Sequence, residues 1–154
     1  MNETPPIGAT EPAHNERTMA ALAHMLQPVA GWIAPLVILV LKRESRFVSF
    51  HALQALLLQI VCVIVISLFV VMWFGAFFLA LVHHGGGGNT APSPAVFILF
   101  PLIWLGFMGL WVVMLVIAVV YGIKAGRGEW AEYPLLGSVS RNLLKIGPGG
   151  STVS

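Results

Sequence analysis

The chain has 154 residues, 58% apolar and 9% charged, with eight basic and six acidic side chains and a formal net charge of +2. A water-soluble domain carries about 25% charged residues to cover its surface, so a solvent-covered globule is excluded. So weak a positive balance, with no basic stripe, also excludes a nucleic-acid surface. The charges avoid most of the chain, with no Asp, Glu, Lys or Arg between Arg46 and Lys124. The lipid bilayer is the medium and partner that this distribution requires.

Residues 1–16 hold Glu3, Glu11, Glu16 and three prolines but no Lys or Arg. They read as a disordered polar tail and lack the basic start of a signal peptide, so the first apolar segment is expected to stay in the mature protein. Residues 17–146 form the predicted helical membrane domain. Its first span, about 18–41, is roughly 36 Å long as a helix, enough to cross a ~30 Å hydrocarbon core. Pro28, Gly31 and Pro35 interrupt it. Proline inside a helix removes a hydrogen bond and kinks or breaks it, which leaves a kinked span or a re-entrant hairpin of two half-length pieces. The charged turn Lys42–Arg46 follows.

The second span, about 52–82, and the third, about 95–123, exceed the hydrocarbon thickness and must tilt or bend; Gly75, Pro101, Gly106 and Gly109 are plausible places. Between them lies an uncharged turn, His83–Pro94, with the glycine run Gly85–Gly88. Lys124, Arg127 and neighbouring glycines close the third span, as suits a helix C-terminus. Trp130 and Tyr133 sit where interfacial aromatics are found. In the segment 135–146, Leu136, Val139, Leu143 and Ile146 recur at helical spacing opposite Arg141 and Lys145, predicting a short interfacial amphipathic helix. Residues 147–154 read as a flexible tail. The fold class is therefore all-α: a polytopic membrane protein with three long transmembrane helices, the first kinked or re-entrant, and a C-terminal amphipathic helix.

Basic residues favour the cytoplasmic side of short loops. Arg17 precedes the first block, Lys42, Arg43 and Arg46 follow it, and four more follow the third. This alternation predicts a multi-pass cell-membrane protein with a cytoplasmic C-terminus. The N-terminus is then outside for three spans, and inside if the first segment re-enters.

Polar groups at bilayer depth are expensive and point into protein or water. Arg17, His24 and Gln27 share roughly one helix side, and His51, Gln54 and Gln59, with the lone Cys62, share another. The two faces are expected to meet and hydrogen-bond, or to line a pathway. A shared metal, haem or proton site at His24 and His51 is the sharper reading. It lacks a neighbouring carboxylate or thiolate, and only a re-entrant first segment brings the two histidines together. The pair His83-His84 reads as a solvated loop, and the glycine run is no phosphate cradle, since it lacks the lysine of that motif. Lys42, Arg43, Arg46, Lys124, Arg127, Trp130 and Tyr133 are the predicted interfacial residues. Ala118 and Gly122, four apart, suit a close helix crossing. Acidic residues are absent from the apolar blocks, so no nucleophile, base and orienting acid assemble. No catalytic residue, metal site or cofactor is predicted, and the chain is not expected to be an enzyme.

Two stretches carry a family resemblance. One comprises Arg17–His24, Pro35–Val37 and Leu41–Ala52; the other is Tyr121–Leu135. Together they resemble small bacterial membrane proteins of unknown function related to the Tic-twenty component of the chloroplast inner-envelope protein translocon. The similarity spans about residues 17–145, the middle matching only in hydrophobicity. It implies a helical membrane domain and a distant tie to protein import or channel formation. The chain departs from that family in its short segment between His24 and Pro35, its glycine-rich loop, and an amide where a charged residue is often found shortly after His51. The leading expectation is a non-enzymatic accessory subunit that packs, through its polar helix faces, against itself or a larger complex. The alternatives are an oligomeric channel or small transporter, and a cofactor- or metal-binding membrane subunit.

Overall fold

A computed structural model of the chain describes residues 11–84, 94–134 and 136–146. Residues 85–93 of the glycine-run turn and most of both predicted tails lie outside the described residues; His83 and His84, expected in a loop, are the last two residues of a helix. In chain order the helices are α1 (His14–Met25), α2 (Gln27–Ala30), α3 (Ile33–Leu41), α4 (Arg46–His84), α5 (Pro94–Gly126) and α6 (Leu136–Leu144).

Among the described residues two helices, not three, are long and apolar enough to cross a membrane: Arg46–Leu79 within α4 and Ile98–Gly126 within α5, with mean hydropathy 3.0 and 2.6. The segment 18–41 is not a span. With 12 residues in α1 and 9 in α3, these helices reach only about 18 and 14 Å, far short of a ~30 Å core. Pro28 and Pro35 each fall in the first turn of a new helix, α2 and α3, where a missing N–H costs nothing. Between them Gly31 takes φ +57°, a left-handed conformation open to glycine. The prolines therefore start helices instead of kinking one. The chain doubles back, so that Ala23 of α1 and Ile38 of α3 share a core with Val48 and Ala52 of α4.

The chain divides into two compact units. One contains residues up to Ile60 and from Met114 onward; the other is Val61–Val113. In the first unit small residues let backbones approach. A Cβ added to Gly122 of α5 would lie 2.7 Å from Cγ of Met25 and 3.5 Å from the carbonyl of Ala21, both on α1. Ala20, Ala118 and Ala125 are buried beside this crossing. The small residues Ala118 and Gly122 thus seat α1. In the second unit Phe69 meets Phe107 edge to face at 5.5 Å, and an apolar cavity is lined by Val65, Ile66, Leu102, Ile103, Gly106 and Leu110.

Local signals set the element ends. Ser45 caps α4, its Oγ accepting the Val48 N–H at 3.3 Å in the usual N-cap manner. Past α5, Gly128 sits at φ +84° while the Glu129 N–H reaches the Lys124 carbonyl and the Gly128 N–H that of Ala125, a Schellman turn. α6 ends likewise: Ile146 N–H bonds the Arg141 carbonyl, with Lys145 in the left-handed position at φ +51°. The long helices turn their apolar side chains outward. Only 6% of the most apolar stretch of each is buried, where the core helix of a soluble protein would be mostly covered, and hydrocarbon is the medium that tolerates this surface.

Candidate functional site

The site is assembled in the first unit. The turn at Gly128 sends residues 129–134 back across the start of α4. There the Glu129 carbonyl lies 3.0 Å from Nε2 of His51. A carbonyl oxygen only accepts, so this nitrogen carries the proton, and in the neutral ring Nδ1 is bare. That Nδ1 lies 3.1 Å from Nε2 of His24, which must therefore donate. Nδ1 of His24 is bare in turn and accepts the hydroxyl proton of Tyr133 at 2.8 Å. One backbone carbonyl thus sets both tautomers, giving a chain that runs Tyr133, His24, His51, Glu129. Both its ends lie on the same loop, and the arrangement is a latch.

Gln54 grips the loop a second time. Its Oε1 accepts the Tyr133 N–H at 2.6 Å and its Nε2 donates to the Ala131 carbonyl at 3.2 Å, as an adjacent strand would. Tyr121 of α5 donates its hydroxyl to the Glu132 carbonyl at 3.0 Å. Gln27 donates to the Ala55 carbonyl at 2.7 Å, tying the start of α2 to α4. His24, His51 and Gln54 are wholly buried and Tyr133 is 4% exposed. Phe47 and Phe50 set their rings against His51 at 4.7 and 5.4 Å.

Burial, followed by the proximity of His51, lowers the His24 pKa to about 3 from its ordinary 6.5, so the ring is neutral, as the hydrogen bonds require. Burial, with Tyr121 beside it, pushes the Tyr133 hydroxyl upward and keeps it a donor. All four ring nitrogens of the two histidines are engaged. Among the described residues no three His, Cys, Asp or Glu side chains gather around a point, so the arrangement offers a metal no open ligand set. Chemically it can hold a loop and exclude water.

The remaining predicted residues divide by place. Arg17 stands outside the latch, donating to the Pro12 carbonyl at 2.8 Å and pairing with Glu11 at 3.0 Å. Its guanidinium also lies against Gly128, where an added Cβ would come within 3.0 Å of Nε. Gln59 is not in the latch; its Oε1 and that of Gln27 are buried without a hydrogen-bond partner. Lys42, Arg43, Arg46 and Arg127 are exposed, and Lys124 holds its ammonium 5.5 Å from the Tyr121 ring. Trp130 is half-buried against Phe47 and Phe50. Tyr133, expected at the interface, is inside the unit. Sequence reasoning overlooked Tyr121 and the Glu129 carbonyl. A backbone acceptor leaves no sequence signal, but Tyr121 is one of only two tyrosines and its hydroxyl in an apolar helix needed a partner.

Comparison with known proteins corrects the Tic-twenty-like resemblance. The family model that matches, over residues 15–140, describes the magnetosome magnetite crystal formation protein family. It takes in both stretches on which the resemblance rested; the middle had matched only in hydrophobicity, which any bilayer helix supplies. No curated protein and no solved structure matches the chain. The match runs over the hairpin, both long helices and every residue of the latch, and this chain belongs to the MamF/MmsF magnetosome magnetite crystal formation protein family.

Proposed function

We propose that this chain is a non-enzymatic membrane component of the magnetosome that supports magnetite crystal formation by assembling in the bilayer around the mineral compartment. The observation that carries this reading is the closure of the polar groups on one another. His24, His51, Gln54 and Tyr133 satisfy each other and their loop, and the long helices present apolar surface. A chain built in this way supplies structure to a membrane and has no reactive group to spare.

Association then falls to the apolar helices, since the polar groups of the latch are engaged with one another and their loop. Gly75 and Gly109 support this, because a Cβ added at either meets nothing within 4 Å; such faces admit a close neighbouring helix. A second copy of the chain is the partner we favour. For orientation, Ala13, Asn15 and Glu16 before and within α1 line one cavity with Leu41 at the end of α3 and Lys42, Glu44 and Ser45 after it, and Arg17 touches Gly128. The basic side chains so gathered point to a cytoplasmic face holding both ends of the described chain.

Deleting the gene in a magnetite-forming host and imaging the crystals by electron microscopy tests the reading. Crystals of altered size or shape inside intact vesicles are expected. Unchanged crystals, or the loss of membrane vesicles altogether, would overturn it.

A further inference from the structure

α6 is mounted with its apolar ridge facing away from the protein. Its inner side is small and polar: Gly137 and Ser140 are buried, and Arg141 pairs with Glu132. A Cβ at Gly137 would lie 2.5 Å from Cβ of Glu132, so only glycine permits this seating. Val139 and Leu143, one helical turn apart, are 43% and 63% exposed. Of the apolar positions that recur along this segment, it is Ile146, past the helix end, that is buried, at 4%.

The charges around the ridge have one sign in excess. From Lys124 to Lys145 the basic residues are Lys124, Arg127, Arg141 and Lys145, and the acidic ones are Glu129 and Glu132. Arg141 and Glu132 neutralise each other. Lys145 occupies the left-handed C-terminal position where glycine is the usual residue, so the chain accepts backbone strain to place an exposed cation beside the ridge.

We propose that α6 lies in the headgroup layer of the bilayer, with Val139 and Leu143 in the acyl boundary and Lys145 on anionic phospholipid headgroups. The exposed apolar pair suits the acyl boundary, and the exposed cation beside it complements an anionic leaflet. Glu132, which holds α6, is the neighbour of Tyr133 in the latch, so the same loop carries both attachments.

The experiment places nitroxides at Val139→Cys, Leu143→Cys and, as the polar reference, Asn142→Cys, each in a Cys62→Ser chain. The protein is reconstituted in phosphatidylcholine vesicles with and without phosphatidylglycerol. Positions 139 and 143 should be open to oxygen and shielded from a water-soluble nickel chelate, with 142 the reverse, and the contrast should grow with phosphatidylglycerol. Lys145→Gln should weaken that lipid preference about fivefold, the effect of one basic residue at an anionic surface. Nickel access at 143 in both vesicles would put α6 in water and overturn the proposal. Shielding from both reagents would mean that protein, such as a second copy, covers the ridge, and would overturn it too. A response to phosphatidylglycerol that survives Lys145→Gln would remove the headgroup assignment. None of these readouts depends on crystal formation, so this proposal and the functional one fail separately.

Discussion

The latch turns on a single backbone oxygen. Because Glu129 offers a carbonyl to His51, each later donor in the chain has one possible direction, and removal of a ring leaves its neighbours unpaired. His51→Ala orphans the Glu129 carbonyl and the His24 N–H; the expected loss is about 2–6 kcal/mol, since each buried unsatisfied group costs about 1–3 kcal/mol. Equilibrium unfolding in detergent micelles measures it, and a His24→Ala, His51→Ala double variant should lose less than the sum of the singles. Acidity should act on the same pair. The folded His24 value of about 3 lies below its ordinary 6.5, so the unfolded chain takes up a proton that the fold refuses. The stability contributed by the neutral ring is therefore full above pH 6.5 and drains as the pH falls toward 3, by about 1.4 kcal/mol per unit for one group. Thermal unfolding of the wild type should fall in midpoint from pH 7 to 5 more steeply than that of His24→Asn; parallel slopes would contradict the assignment.

At the scale of elements, the informative residues are those that decide where a helix stops and how closely it seats. The apolar run 18–41 is long enough to span, yet Pro28, Gly31 and Pro35 divide it, and their placement at helix starts and a left-handed turn explains why. That alternative was legible in the sequence beside the straight span. Choosing between them needed the contacts among Ala23, Ile38 and Val48. Gly137 carries the opposite lesson. Read alone it weakens a helix, but in the structure it is the residue that lets α6 seat on Glu132. Gly137→Ala should cost about 1–3 kcal/mol through overpacking and free α6 while its helix persists. Faster trypsin cleavage at Arg141, with little change in circular dichroism, is the expected signature. Gly128→Ala should be worse, because it meets both the left-handed backbone at φ +84° and the Arg17 guanidinium.

At the scale of the whole molecule, the proposed orientation puts both ends of the described chain on one side of the membrane, and it can be tested directly. With Cys62→Ser as background, Asn15→Cys and Asn142→Cys should react with a membrane-impermeant thiol reagent from the same face, the cytoplasmic one, in oriented vesicles. Reaction from opposite faces would restore a third crossing and break the orientation reading. Purified protein should also form crosslinked dimers through cysteines introduced at Gly75 or Gly109, whose surroundings are open; a strictly monomeric protein in native membranes would count against self-association.

The sequence by itself determined the medium and the material. A stretch from Arg46 to Lys124 without a charge is too costly to hold in water and too apolar to need it, so helices in lipid follow from composition alone, as does the short list of polar groups that must find partners. Only the tertiary structure decided which partners they found. His24 and His51 are far apart along a straight membrane-crossing chain and 3.1 Å apart once the first segment doubles back, and the group that orients them is a carbonyl every residue possesses. Side-chain identity limits what can bond, whereas the path of the backbone chooses what does.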